Sequence, residues 1–105
     1  LSSDIHITDS SWHHVAAVID RTNNDNCRVY IDGKDASTLP SGGNIINITR
    51  IMNPLPLRIG SESDGGYQWE GALDECRISY KAYSPEYIKL CFMNQKSNDE
   101  LVIVK

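Results

Sequence analysis

The chain has 105 residues, of which 40% are hydrophobic and 23% charged, a balance typical of one globular domain and not of a disordered or coiled-coil chain. Ten Lys and Arg residues against fourteen Asp and Glu residues give a net charge of −4, and the basic residues are scattered singly, so we expect no nucleic-acid partner. No apolar run approaches the roughly 20 residues that cross a bilayer, so we expect no membrane insertion.

The first half of the chain alternates as β-strands do. Residues 12–20 are β-branched and aromatic with apolar side chains on both faces, which predicts a strand buried on both sides. A polar turn leads to a second predicted strand at residues 27–31. Asp32 and Gly33 then fit the positive φ angles of a tight turn into a third short strand at residues 35–39.

The second half adds further strands and one helix. Strands are predicted at residues 45–52, 57–60, 71–79 and 101–104. Ser84 is a good N-cap, and Pro85 and Glu86 suit the first turn, so a helix should run from here to about Asn94. The side chains expected to dock this helix on a sheet are Tyr87, Ile88, Cys91 and Phe92. Roughly seven strands and one late helix indicate an all-β sandwich.

The three cysteines, Cys27, Cys76 and Cys91, lack the spacing of a zinc site. One disulfide with a free thiol and three buried thiols both fit this pattern. We favour unpaired thiols, because strand cysteines commonly act as small hydrophobic side chains.

Five sequence blocks resemble those of a known family. They are WHHVA at residues 12–16, VYIDG at 29–33, LRIG at 57–60, GALDECRIS at 71–79 and YSPEYI at 83–88. In this order they resemble the laminin G-like, concanavalin A-like jelly roll family over about residues 12–92. Residues 88–96 are similar to the subset found in large bacterial secreted and surface proteins, where the domain accompanies carbohydrate-active modules.

The resemblance implies an antiparallel jelly roll sandwich with one short helix near the C-terminus. Residues 1–105 would be a single partial domain that lacks its early strands, and Leu1 in place of Met agrees with a piece of a longer protein. Cys76 stands where the family has an aliphatic residue, which implies a core position, and Cys76 with Cys91 is the first disulfide to test. The expected localisation is extracellular or at the cell surface.

No catalytic apparatus is visible in the sequence, so we expect no enzyme activity. A nucleophile elbow, a His-Glu-x-x-His motif and a phosphate-binding glycine loop are all missing. His13 and His14 could suggest a metal or acid/base site, but adjacent strand residues point to opposite faces. Asp74 and Glu75 diverge for the same reason and do not form the opposed carboxylate pair of a glycosidase.

Calcium is the one cofactor that the sequence suggests, because it accepts oxygen ligands from irregular loops and is common in the family. The candidate ligands are Asp74, Asp20 and Glu62, with Asp64 as a further carboxylate. Asp74 lies on the apolar side of its predicted strand, so a buried carboxylate bound by backbone N–H groups is an equal alternative. Glu62 and Asp64 also fit solvated loop charges.

A polar loop at residues 61–66 precedes two aromatic residues, and this combination favours a carbohydrate site. Tyr67 and Trp69 could stack on sugar rings, with Asp64 as a polar partner. For Trp69 the family pattern favours a core position instead.

The function expected is a non-catalytic carbohydrate-binding or adhesion module of a larger extracellular protein. Its partners would be a polysaccharide or a glycoprotein glycan and other modules of the same polypeptide. A structural spacer or protein-interaction domain without glycan binding is one alternative, and a fragment of a jelly roll glycoside hydrolase is another.

Overall fold

The computed structural model describes residues 2–3, 5–38, 50, 52–62 and 64–96. Their elements are β1 (Ser2–Ser3), β2 (Val15–Val18), a 3-10 turn (Asn24–Asn26), β3 (Arg28–Ile31), β4 (Lys34–Asp35), β5 (Ser37–Thr38) and α1 (Pro85–Gln95). The predicted strand at residues 101–104, and most of the one at 45–52, lie outside these described residues. The chain divides into two units, residues 1–48 with 81–105 and residues 49–80.

The first unit contains a three-stranded antiparallel sheet in the order β2-β3-β4. Val15 lies opposite Ile31 in the β2–β3 pair, and Tyr30 lies opposite Asp35 in the β3–β4 pair. β1 pairs with β5 in a separate two-stranded sheet. The predicted second strand at residues 27–31 is therefore confirmed as β3.

The predicted third strand, residues 35–39, is instead divided between the two sheets at Ala36. The Ala36 N–H donates to the Val29 carbonyl at 2.9 Å, but the Val29 N–H donates to the Ser37 hydroxyl at 2.8 Å. A side chain thus takes the place of a backbone carbonyl in the ladder, and β4 ends there.

The turn between β3 and β4 is the tight turn that the sequence predicts. Asp32 has φ 51° and Gly33 has φ 74°, the pair of positive angles that a type I′ hairpin requires. The Asp32 N–H donates to the His14 carbonyl at 2.8 Å, which extends the pairing of the first two long strands to the edge of the turn.

The core of this unit lies between one face of the sheet and α1. Val18, Tyr30 and Ile88 form the buried cluster, and Ala16 and Tyr83 pack against it. Because side chains alternate along a strand, Val15 projects from the opposite face, where it is 58% exposed. The prediction that residues 12–20 are buried on both faces is therefore wrong for the described chain.

The helix begins and ends as predicted, to within one residue. The Tyr87 N–H donates to the Ser84 hydroxyl at 3.3 Å, which confirms the N-cap. Ile88 is buried and Cys91 and Phe92 are half-buried, whereas Tyr87 is 38% exposed, so the predicted stripe is confirmed except at Tyr87. Within the described residues, no helix has the length and apolar character to cross a membrane.

The second unit has no regular strand among its described residues, so the strands predicted at 57–60 and 71–79 are wrong. The side chains of residues 71–80 are exposed, and Glu75 has φ 51°, which lies outside the β region. An extended segment needs a neighbouring strand to satisfy its backbone, and the described part of this unit supplies none. The family resemblance predicts a partial antiparallel jelly roll sandwich, whereas the described residues form a three-stranded sheet, a two-stranded sheet and a helix.

The burial of the three cysteines differs between the two units. Cys27 and Cys91 are half-buried, Cys76 is exposed, and all three are free thiols. The unpaired state agrees with the preference stated from the sequence. The core position expected for Cys76 is wrong, because the segment around Cys76 does not enter a sheet, and Cys76 is not bonded to Cys91.

Candidate functional site

The candidate site is the 60–71 loop, which folds on itself within the second unit. The Trp69 N–H donates to the Gly60 carbonyl at 2.7 Å and closes the base of the loop. Inside it, the Glu62 N–H donates to the Gly66 carbonyl at 2.9 Å, and the Gly65 N–H donates to the Glu62 carbonyl at 3.0 Å. These backbone bonds give the loop a defined shape.

Two glycines make this path possible. Gly60 has φ 85° and Gly65 has φ 89°, angles that residues with a Cβ atom rarely adopt. Asp64 supports the same turn, because its Oδ1 atom accepts the Gly66 N–H at 2.8 Å. The Gln68 amide donates to the Gly65 carbonyl at 3.1 Å. Asp64 therefore shapes the loop while its carboxylate stays at the surface.

Both aromatic residues of the loop present ring surface to solvent. The Tyr67 side chain is 88% exposed and Trp69 is 53% exposed. The core position considered for Trp69 is therefore wrong. Its indole lies against Gly71 instead, since its ring nitrogen is 3.0 Å from the position that a Cβ on Gly71 would take. A larger residue at Gly71 would therefore press on the ring.

The predicted calcium ligands belong to different units of the chain. Glu62 is exposed in the 60–71 loop, and Asp74 lies after it in the second unit, whereas Asp20 belongs to the first unit. Asp74 is exposed and accepts the Glu75 N–H at 2.8 Å, so the buried carboxylate considered for it is wrong. Among the residues that the structure describes, no three His, Cys, Asp or Glu side chains are arranged to hold a metal ion.

Asp20 is instead the centre of a hydrogen-bonded loop. Its Oδ1 accepts the Thr22 hydroxyl at 2.6 Å and the Thr22 N–H at 2.9 Å, and its Oδ2 accepts the Asn26 amide at 2.9 Å. The side-chain bonds to Thr22 and Asn26, in that order, lower the pKa of Asp20 to about 2. Both oxygens are thus engaged in shaping the connection between β2 and β3.

The sequence reasoning missed one cluster. Both ring nitrogens of His13 bind carboxylates, Nδ1 to Asp32 and Nε2 to Asp9, each at 2.7 Å. The predicted β2–β3 hairpin brings His14 next to Asp32, so the antiparallel register could have indicated that a carboxylate lies close to the two histidines. The hydrogen bond to Asp32, followed by that to Asp9, raises the pKa of His13 above its ordinary value.

Comparisons with known proteins bear on the fold. Over 88% of this chain, the structure is similar to a 2.1 Å crystal structure of an S-layer domain-containing protein (residues 221–444) from Clostridium thermocellum, with 22% sequence identity and a TM-score of 0.51. The match spans 44% of that crystallised chain, and at this identity the likeness concerns the fold. No curated protein matches the sequence.

The family comparison is more direct. The laminin G family model described as the concanavalin A-like lectin/glucanases superfamily matches residues 1–89, which agrees with the order of the five sequence blocks. This superfamily is built on a β sandwich, and the antiparallel β2-β3-β4 sheet is compatible with part of one. The chain therefore belongs to the concanavalin A-like lectin/glucanases superfamily.

Proposed function

We propose that this chain is a non-catalytic carbohydrate-binding or adhesion module of a larger extracellular or cell-surface protein. The observation that carries the proposal is the pair of exposed aromatic rings, Tyr67 and Trp69, on the hydrogen-bonded 60–71 loop. The faces of aromatic rings carry partial negative charge and match the C–H faces of sugar rings. A loop that is already folded loses little conformational entropy when it binds.

Polar groups of the loop would fix the orientation of a sugar ring. Asp64 uses Oδ1 in the Gly66 turn, so its Oδ2 can accept a sugar hydroxyl. Specific sugar recognition needs such acceptors next to the stacking face, because stacking alone does not distinguish one pyranose from another. The proposed partner is thus a polysaccharide or a glycoprotein glycan, with other modules of the same polypeptide beside it.

Membership of the superfamily supports a surface role, and so does the S-layer domain-containing protein with a similar fold. The fold by itself does not define a ligand. The proposal therefore depends on the loop.

The test is retention of the 105-residue chain on a panel of insoluble and soluble polysaccharides. We expect retention on one glycan class and its loss in Tyr67→Ala. The matched control is Tyr80→Ala, which removes a fully exposed tyrosine of the same unit outside the loop. Equal retention of both variants, or no retention of the unaltered chain on any glycan, would contradict the carbohydrate site.

Calcium is proposed as a cofactor, with Asp74, Asp20 and Glu62 as candidate ligands. Asp74 and Glu62 are exposed, whereas both carboxylate oxygens of Asp20 already accept hydrogen bonds within its own loop, so calcium would compete with Thr22 and Asn26 there. We expect calcium to raise the melting temperature relative to chelator and Asp74→Ala to reduce that rise, with Asp25→Ala as the control for lost charge. A melting temperature that does not respond to calcium would refute this part of the proposal.

A second candidate, a protein-interaction or spacer domain, is favoured by the exposed apolar side chains of the second unit. Met52 is 74% exposed, Leu57 76% and Ile78 71%. Apolar surface of this kind commonly marks contacts between proteins. Failure of glycan binding together with calcium-independent stability would favour this role.

A further inference from the structure

The cluster around His13 connects two segments that are distant in the sequence. Asp9 and His13 belong to the loop that leads into β2, whereas Asp32 belongs to the turn between β3 and β4. Asp32 makes a second bond to the same loop, because its Oδ1 accepts the His14 N–H at 3.0 Å. The His13 side chain is 20% exposed, compared with 59% for Asp9 and 32% for Asp32.

The proton count of this cluster follows from its geometry. A carboxylate can only accept hydrogen bonds, so each ring nitrogen of His13 must carry a proton to bind the carboxylate that it faces. A neutral imidazole carries one proton on its two nitrogens, so both bonds exist together only when the ring is a cation. Loss of that proton must break one of them.

Of the two hydrogen bonds from His13, the one to Asp9 should break first. Asp9 is the more exposed carboxylate, and its other contact is the Ser11 N–H within the same loop, at 3.1 Å. Asp32 lies in a turn fixed by two positive φ angles and is also held by the His14 N–H. A neutral His13 should therefore keep its proton on Nδ1, facing Asp32, and lose the bond from Nε2.

Other charged groups lie around the turn. Lys34 follows it on β4, and the Lys89 Cα of α1 is 3.2 Å from the position that a Cβ on Gly33 would take. Lys96 lies over the Phe92 ring, which is 6.2 Å from the half-buried His14 ring. These lysines place positive charge on the elements around the turn.

We propose that Asp9, His13 and Asp32 form a proton-operated latch that holds the loop before β2 on the β3–β4 turn when His13 is a cation, and releases its Asp9 arm when His13 loses a proton. The loop also carries Trp12, which is 70% exposed. This device does not depend on the proposed glycan site.

The direction of the pH dependence follows from the two shifts. Hydrogen bonding raises the pKa of His13 above 6.5 and lowers that of Asp9 below 3.8. A raised histidine pKa stabilises the closed form at low pH and loses that effect as pH rises through the folded-state value. A lowered aspartate pKa stabilises the closed form at pH values above that pKa. The latch is therefore closed between the pKa of Asp9 and the pKa of His13, and it opens as pH rises above the pKa of His13.

The test is a pH titration of the full chain labelled with ¹⁵N-histidine. Long-range ¹H–¹⁵N correlation spectra are recorded from pH 5 to 9. The His13 signals are assigned as those that disappear in His13→Gln. We expect a midpoint above 6.5 and, above it, a neutral ring protonated at Nδ1, opposite to the Nε2–H form usual for free histidine. Exchange protection of the His14 amide, which donates to Asp32 Oδ1, should persist above the midpoint.

Asp9→Asn should lower the midpoint and keep the Nδ1–H form, and Asp32→Asn should lower the midpoint and change the neutral form to Nε2–H. Asn is favoured in this turn type, so the second variant retains the hairpin. The control Asp25→Asn removes an equal charge from the 3-10 turn. A midpoint at or below 6.5 in the unaltered chain, an Nε2–H neutral form, or an equal shift in the control would overturn the proposal.

Discussion

Single side chains in this molecule replace backbone bonds that its short strands do not provide. Asp20 is the clearest case, since three hydrogen bonds to Thr22 and Asn26 close the loop between β2 and β3. A carboxylate that accepts several bonds favours its charged form, which explains its low pKa. The loop should therefore be more stable above the normal aspartate pKa than below it.

Asp20→Asn should lower stability in a pH-dependent way. The asparagine keeps one carbonyl acceptor but loses the second one, so the bond from Asn26 is lost. Because the folded-state pKa is depressed to about 2, the difference in urea midpoint between the variant and the unaltered chain should be full above pH 4 and should shrink as pH falls toward 2.

Asp25→Asn is the control for that titration. It removes a charge from the same loop but none of the three bonds to Asp20, because the Asp25 backbone N–H, and not its side chain, bonds to Asn23. The same pH-dependent difference in the control would attribute the effect to net charge and contradict the role of Asp20.

At the scale of elements, α1 is held by few side chains, and Ile88 is the most important of them. It is 7% exposed and packs on Val18 and Tyr30. Ile88→Ala should lower the free energy of unfolding by about 2–5 kcal/mol, measured by urea denaturation. Leu90→Ala, at a position 44% exposed on the same helix, should change it by about 0.5 kcal/mol. Equal losses would show that helix propensity and not packing anchors α1.

The β3–β4 turn also contacts α1 directly. A Cβ on Gly33 would lie 3.1 Å from the Phe92 ring and 3.2 Å from the Lys89 Cα, and the glycine has φ 74°. Gly33→Ala should therefore destabilise the fold by more than about 1 kcal/mol. Gly65 has a similar φ of 89°, but the nearest atom to a Cβ there would be an Arg58 side-chain nitrogen at 3.5 Å. Gly65→Ala therefore reports the cost of the φ angle alone, and any further loss of stability in Gly33→Ala reports the close contact between the turn and α1. An equal loss of stability in the two variants would mean that α1 accommodates the added methyl group without destabilising the fold.

An element could be predicted from the sequence when the residues that determine it lie close together in the chain. The Ser84 cap and the Asp32–Gly33 turn are each determined by residues within one turn of chain, and both were predicted correctly. The two-sided burial of residues 12–20 and the strand at 71–79 required partners elsewhere in the chain, which alternation alone cannot supply. The exposure of Trp69 likewise depends on the folding of the loop around it, which the alternation pattern does not define.

At the scale of the whole molecule, exposed apolar side chains outnumber buried ones among the described residues. Five hydrophobic residues are buried, whereas fifteen large hydrophobic residues are exposed, with both units represented. Surface of this kind favours association. The net charge of −4 opposes association only weakly once salt screens it.

We expect concentration-dependent self-association of the isolated chain, measured by sedimentation velocity. Leu57→Lys should reduce it, because this leucine is 76% exposed beside other apolar side chains. Thr8→Lys changes the net charge by the same amount at an exposed polar position, and serves as the control. An equal decrease in both variants would attribute association to charge rather than to apolar contact.

The contact between α1 and the sheet also determines the order in which the molecule assembles. β2, β3 and β4 are joined by short connections, and hairpins of this kind form within about 1–10 μs. Ile88 reaches Val18 and Tyr30 only after more than half of the chain has closed into a loop, and the entropy lost rises with the logarithm of its length. The helix therefore docks late, so substitutions in it should accelerate unfolding more than they slow folding. Until that docking step, the Val18–Tyr30 face is open to any other apolar surface that it meets.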